Sequence, residues 1–235
     1  MITDLENYFV GFVIGIRYRA NFSIEDSLGE IVDKILYSNK SYFGPKKFPL
    51  VQNHVNSKVL VNQGTNDKLT INNSNIVLDI SFSETFQKSD YNSIIAKFND
   101  EIIDGVMKKY KITEINRIGL VKRYLFNLDE LANSFIDKTI GKTLEGVNDI
   151  NLQFSKKFPT AEGLVKEDVY DYTNAIFNII KHSDAKELFM SIDYQKYFDP
   201  FLTNCDQMKF MDFSKSVDGF NTKNFLPWLN KNYLD

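Results

Sequence analysis

The sequence predicts an α+β protein built from two tandem strand–helix–strands–helix units, packed about a pseudo-two-fold axis. Three observations carry the prediction: strand-like alternation opening each half, an amphipathic helical stripe behind it, and an ungapped match between the halves. Residues 14–36 (IGIRYRANFSIEDSLGEIVDKIL) set against 118–140 (IGLVKRYLFNLDELANSFIDKTI) share Ile14/Ile118, Gly15/Gly119, Arg19/Arg123, Phe22/Phe126, Asp33/Asp137 and Lys34/Lys138. The tetrapeptide KKFP then follows in both, at Lys46–Pro49 and Lys156–Pro159. Short apolar stretches align readily by chance, and it is the recurrence of the same signals in the same order that favours duplication. The units are 1–113 and 114–235, forming one compact body. Their element order resembles the TATA-binding-protein-like and helix-grip folds, with a pair of ferredoxin-like halves as the alternative.

Taken in order, residues 8–18 place Tyr8, Val10, Phe12, Ile14, Ile16 and Tyr18 on one side. Gly11, Val13, Gly15 and Arg17 fall on the other, as in a strand with one face in the core. Ser23 with Asp26 three residues on reads as an N-cap, and Leu28, Ile31, Val32, Ile35 and Leu36 trace a helical stripe behind it. Strands are expected at 58–63 and 75–83, with Gly64 and the Asn-rich 72–75 as turns. Asp90 caps a helix whose stripe is Ile94, Ile95, Phe98, Ile102 and Val106. The second half reads as a strand over 115–126, a helix opening at Asn127, and strands at 150–158, 169–181 and 187–195. A helical region over 204–234 is interrupted near Asp218–Gly219. Ile31, Ile35 and Phe135 are expected in the core.

Composition bounds the function. Twenty Phe and twelve Tyr supply enough apolar area for a large core without covalent staples. A net charge of −3 gives no global attraction to nucleic acid or anionic lipid. The single cysteine, Cys205, has no partner for an internal disulfide, which fits a reducing compartment. With an acidic N-terminus and no apolar run near the roughly 20 residues of a membrane helix, the expected location is the cytoplasm.

No catalytic motif survives inspection. His54 and His182 lack neighbouring His or Cys, so no metal site and no cofactor are expected. Gly141-Lys142-Thr143 resembles the tail of a phosphate loop, but Ile136 stands where the motif needs glycine. Asp193, alternating with Ile192 and Tyr194, reads as a solvated carboxylate. Of 28 basic residues only four are arginine: Arg17 and Arg19 in the first strand, Arg117 and Arg123 in its counterpart. Each pair is expected to share a face with a glycine, Gly15 or Gly119. Together the four form a candidate anion site, since guanidinium pairs with phosphate or carboxylate in a planar fork that lysine lacks. The competing reading is that they brace the fold through nearby Asp and Glu.

IGIRYR before a capped helix, the mid-chain RIGLVKRYLF, the late LFMSIDYQKYF and the terminal WLNKNYL resemble a family of prokaryotic proteins of similar size. That family is sporadically distributed among bacteria and archaea and has no assigned activity. Its distribution implies mobile loci of the kind often concerned with host–phage conflict. Two functional readings follow. One is a non-enzymatic binding or accessory protein with another protein, or a second copy, as partner. The other is a sensor or enzyme that binds a phosphorylated small molecule or nucleic acid through the strand arginines.

Overall fold

A computed structural model of the chain describes residues 1–37, 41–82, 89–127, 134, 135, 138, 150–159, 172–181 and 187–233. Alternation dictates its first strand, β1 (Phe9–Tyr18), whose Phe12, Ile14, Ile16 and Tyr18 are buried while Val13 and Gly15 face outward. The mid-chain strand β6 (Ile115–Phe126) alternates from Ile118 onward and buries Ile118, Leu120, Tyr124 and Phe126. Between them lie β2 (Leu50–His54), β3 (Ser57–Asn62), β4 (Asp67–Asn72) and β5 (Asn75–Ser81). After β6 come β7 (Ile150–Pro159), β8 (Tyr172–Lys181) and β9 (Leu188–Leu202).

The nine strands among the described residues form one antiparallel sheet in the order β2-β3-β4-β5-β1-β6-β9-β8-β7. The fold is therefore α+β, and the junction between the two halves of the chain is the β1–β6 ladder at the centre of the sheet. There Gly15 lies opposite Gly119, Val13 opposite Val121 and Arg17 opposite Arg117.

Helices cover one face of this sheet. In α1 (Phe22–Tyr37) the buried set Ile24, Leu28, Ile31, Val32 and Ile35 makes a single stripe that packs against β3 and β4. Its cap is Asn21, whose side chain accepts the Ser23 amide, rather than Ser23 itself. The reason is positional: a cap accepts from the amide two or three residues into the helix, and Ser23 already lies inside.

Helix α2 (Ser89–Lys97) continues through a wider π-type stretch at Phe98–Met107, burying Ile94, Ile95, Phe98, Ile102 and Val106 as expected. Past a short 3₁₀ turn, α3 (Phe210–Phe220) packs on β6 and α2. The expected interruption at Asp218–Gly219 does not occur. The pitch widens instead at Asn221–Phe225, and the helix runs on as α4 (Leu226–Tyr233), with Pro227 just after the widened stretch. Phe135 is helical, fully buried and packed on Tyr233, with ring centroids 4.9 Å apart. His182 and the Gly141–Thr143 segment lie outside the described residues.

The opposite face of the sheet carries the outward positions of the central strands. It is where the arginines have to be sought.

Candidate functional site

The site grows from the two glycines at the centre of the sheet. A Cβ on Gly15 would meet nothing within 4 Å, so the surface there is open to its surroundings. A Cβ on Gly119 would lie 3.7 Å from Asp193 Oδ1, an ordinary contact distance that places the carboxylate beside the β6 backbone. Along β9, Tyr197 donates its hydroxyl to Gln195, and Gln195 donates its amide to Asp193. These are alternate residues on one face of a strand, two positions apart. Asp193 is thus a half-buried, hydrogen-bonded carboxylate rather than a solvated one. Burial raises its pKa above the ordinary aspartate value, opposed by the Gln195 hydrogen bond and the Arg117 charge.

The four arginines divide into two pairs, though not the pairs expected. Arg19 lies one residue past the end of β1 and leaves the Gly15 face. Its guanidinium pairs with Glu114 at 3.0 Å, and its amide bonds the Glu114 carbonyl. Arg123 does share a face with Gly119. It reaches across β1 beside Gly11, its register partner, to hold Asp79 on β5 with both nitrogens, at 2.8 and 3.2 Å. Arg19 and Arg123, matched in the sequence alignment, therefore do different jobs, and both brace the fold.

Arg17 and Arg117 behave otherwise. They stand directly opposite each other on the open face, a register that puts Cβ atoms roughly 4.5–5.5 Å apart. Neither has an ion pair among the described residues. Arg117 lies 5.8 Å above the centre of the Tyr197 ring, a cation–π contact. Two like charges placed opposite one another across strands disfavour the sheet, and on the Arg117 side the Tyr197 ring and the Asp193 carboxylate offset part of that cost.

The surroundings of this pair come from an irregularity in the ladder. Between the Arg117/Tyr197 and Ile115/Leu202 partners, β9 contributes residues 198–201 where β6 contributes Asn116 alone. Such bulges re-aim side chains. The result is a cleft of about 560 Å³ lined by Arg17, Asn116, Arg117, Tyr197, Asp199 and Phe201, together with the mostly buried Phe198. Asn116 Oδ1 is buried in its wall without a hydrogen-bond partner, and Phe201 is an exposed aromatic.

A second polar cluster lies on the helical face and was not anticipated. Lys122 occupies an inward position of β6 and pairs with Asp218 of α3, its ammonium 4.4 Å from the centre of the Tyr91 ring. Tyr194 donates to Asn221 beside them. A lysine in an apolar period-2 series was the available signal. Its charge is matched by Asp218, so the cluster reads as an internal brace closing α3 onto the sheet.

Among the described residues no group of three His, Cys, Asp or Glu side chains could hold a metal, and no helix is long and apolar enough to cross a membrane. Comparison with protein-family models and with curated proteins returns no match.

Proposed function

We propose that this is a binding protein, not a catalyst, whose open sheet face captures an anionic group between Arg17 and Arg117. The observation that carries the reading is the directly opposed pair itself, neither member of which has an ion pair among the described residues. Arg19 and Arg123 are neutralised by Glu114 and Asp79, whereas among the described residues Arg17 and Arg117 have no ion pair, with Asp193 close enough to feel the Arg117 charge and Asp199 lining the same cleft. Arginine at both positions matters, because each guanidinium offers a planar fork to a phosphate or carboxylate. On this reading the chain acts in the cytoplasm as an accessory or sensing component, and the anion belongs to the molecule it recognises.

The same reading takes the scaffold as an internal duplication of units 1–113 and 114–235. Two features support that. Gly15 and Gly119, equivalent in the sequence alignment, are also partners in the ladder, as expected if a two-fold axis runs between β1 and β6. The strand order outward from the centre is first strand, last strand, then the preceding ones, on both sides. The different roles of Arg19 and Arg123 weigh on the other side, so sequence equivalence does not extend to that position.

The test is thermal shift and calorimetric titration with inorganic pyrophosphate as the anion. Arg17→Lys and Arg117→Lys should each weaken binding nearly as much as the alanine variants, by about 1.5–3 kcal/mol. Arg19→Ala should leave it unchanged. If the lysine variants bind like the wild type, simple charge attraction replaces fork recognition. If no anion shifts the wild-type protein, the proposal fails.

A further inference from the structure

Among the described residues the sheet ends on two edge strands, β2 and β7, and the sequence treats them differently. β7 carries Lys156 and Lys157 and closes on Pro159, residue types that keep a sheet edge from pairing with another chain. β2 (LVQNH) contains no Lys, Arg, Asp, Glu or Pro. Among the described residues it pairs with β3 alone, so alternate residues turn their N–H and C=O groups away from the sheet. All five of its side chains are exposed. Leu50 and Val51 are neighbours and therefore stand on opposite faces, 41% and 37% exposed, and Val55 in the turn to β3 is 96% exposed. Helix α1 packs on β3 and β4, further into the sheet. An uncharged edge strand with apolar side chains on both faces is a template for another strand.

We propose that β2 is the seam of a homodimer, in which two copies pair their β2 strands antiparallel about a two-fold axis and run the sheet through both. The partner is a second copy because the strand suits itself. An antiparallel pair centred on Gln52 sets Val51 of one copy against Asn53 of the other, and Leu50 against His54. No acidic or basic side chain of one β2 then meets its like across the seam, although each chain carries a net charge of −3. The contact is isologous and closes at two chains. Pairing β2 with β7 would instead be head-to-tail and leave a free edge at each end, and Lys156, Lys157 and Pro159 oppose it. A ladder of five residues is a small contact, so the dissociation constant is on the order of micromolar. The opposed arginines lie on β1 and β6 at the centre of the sheet, so this pairing stands or falls separately from anion binding.

The experiment is sedimentation velocity of the intact chain across the micromolar range, with amide exchange by mass spectrometry at the two ends of that range. The wild-type mass should rise from 27.3 kDa toward twice that, and exchange in β2 should slow as the dimer forms. Val51→Lys and Val51→Glu each set like charges into the seam and should raise the dissociation constant by at least about tenfold. An equimolar mixture of the two variants should recover the dimer, which a loss through misfolding would not. Gln153→Lys, on the exposed surface of β7, should leave dimerisation unchanged. Val51 and Gln153 are both exposed, so the variants should fold, and an unchanged melting curve at low concentration checks this. A chain that stays monomeric throughout would overturn the proposal and leave the β2 edge to an extended segment of another protein. A dimer indifferent to both Val51 variants would place the contact on another face. Species that grow beyond two chains and are lost in Gln153→Lys would overturn it in favour of head-to-tail pairing.

Discussion

Gly11 and Gly15 sit four residues apart on the outward side of β1, yet the structure gives them opposite tolerances. A Cβ at position 11 would lie 2.6 Å from the Ile80 carbonyl oxygen and 3.3 Å from the Ser81 Cα, both main-chain atoms of the neighbouring strand. No side-chain rotation can relieve that contact, so β1 and β5 would have to part where Arg123 spans them to Asp79. Overpacking of this kind costs about 1–3 kcal/mol. It is offset in part by the roughly 0.4–1 kcal/mol that alanine gains by restricting the unfolded chain. At position 15 only the gain applies, because the space is empty. For a chain of this size each kcal/mol moves the melting temperature by about 2–4 °C. Gly11→Ala should therefore melt several degrees below the wild type, and Gly15→Ala level with it or slightly above. Differential scanning calorimetry of the two variants decides it. Equal melting temperatures, or the greater loss at position 15, would refute the argument from backbone approach.

Other expectations are independent of ligand. Phe135→Ala removes a fully buried ring packed on Tyr233 and should cost about 3–5 kcal/mol by denaturant unfolding; a loss below about 1 kcal/mol would contradict that packing. Asp193→Asn should stabilise the protein at pH 7. Burial raises the folded pKa, so the folded state binds more protons than the unfolded one between the two values, and stability falls as pH rises through that window. The advantage of the variant, measured as melting temperature against pH, should vanish below the unfolded value near 3.8. Cys205 is buried and its thiol, donating to the Ile112 carbonyl, is pushed up to about 11, so it should resist thiol reagents at pH 8 until the chain is unfolded.

What could be read in advance follows from which residues repeat with a period. The strand over 115–126 was legible, and the stripes of α1 and α2 named their buried residues, because each faces one continuous core. Strand β2 left no such trace: every residue of Leu50–His54 is exposed, so nothing forces polar and apolar positions to alternate. The Asp67 that opens β4 is fully buried against Lys47 and the Ser81 amide, an inward charge that sequence patterning reads as a loop. The same holds for the site. That Arg17 faces outward is local information, but that it faces Arg117 depends on register between strands far apart in the chain. Asp193 shows the limit most clearly, since its surroundings include Arg117, a residue on another strand far away in the chain.

The central ladder also sets the order in which the protein can be made. Gly15 and Gly119 are 104 positions apart in the chain (119 − 15), so β1 emerges from the ribosome long before the strand that will flank it. At about 5–20 residues per second that interval is roughly 5–20 s, during which β5 can occupy one side of β1 while the other remains unpaired. An open edge rich in Phe, Val and Ile invites pairing with another nascent chain. The midpoint of the finished sheet is thus an edge of the unfinished one.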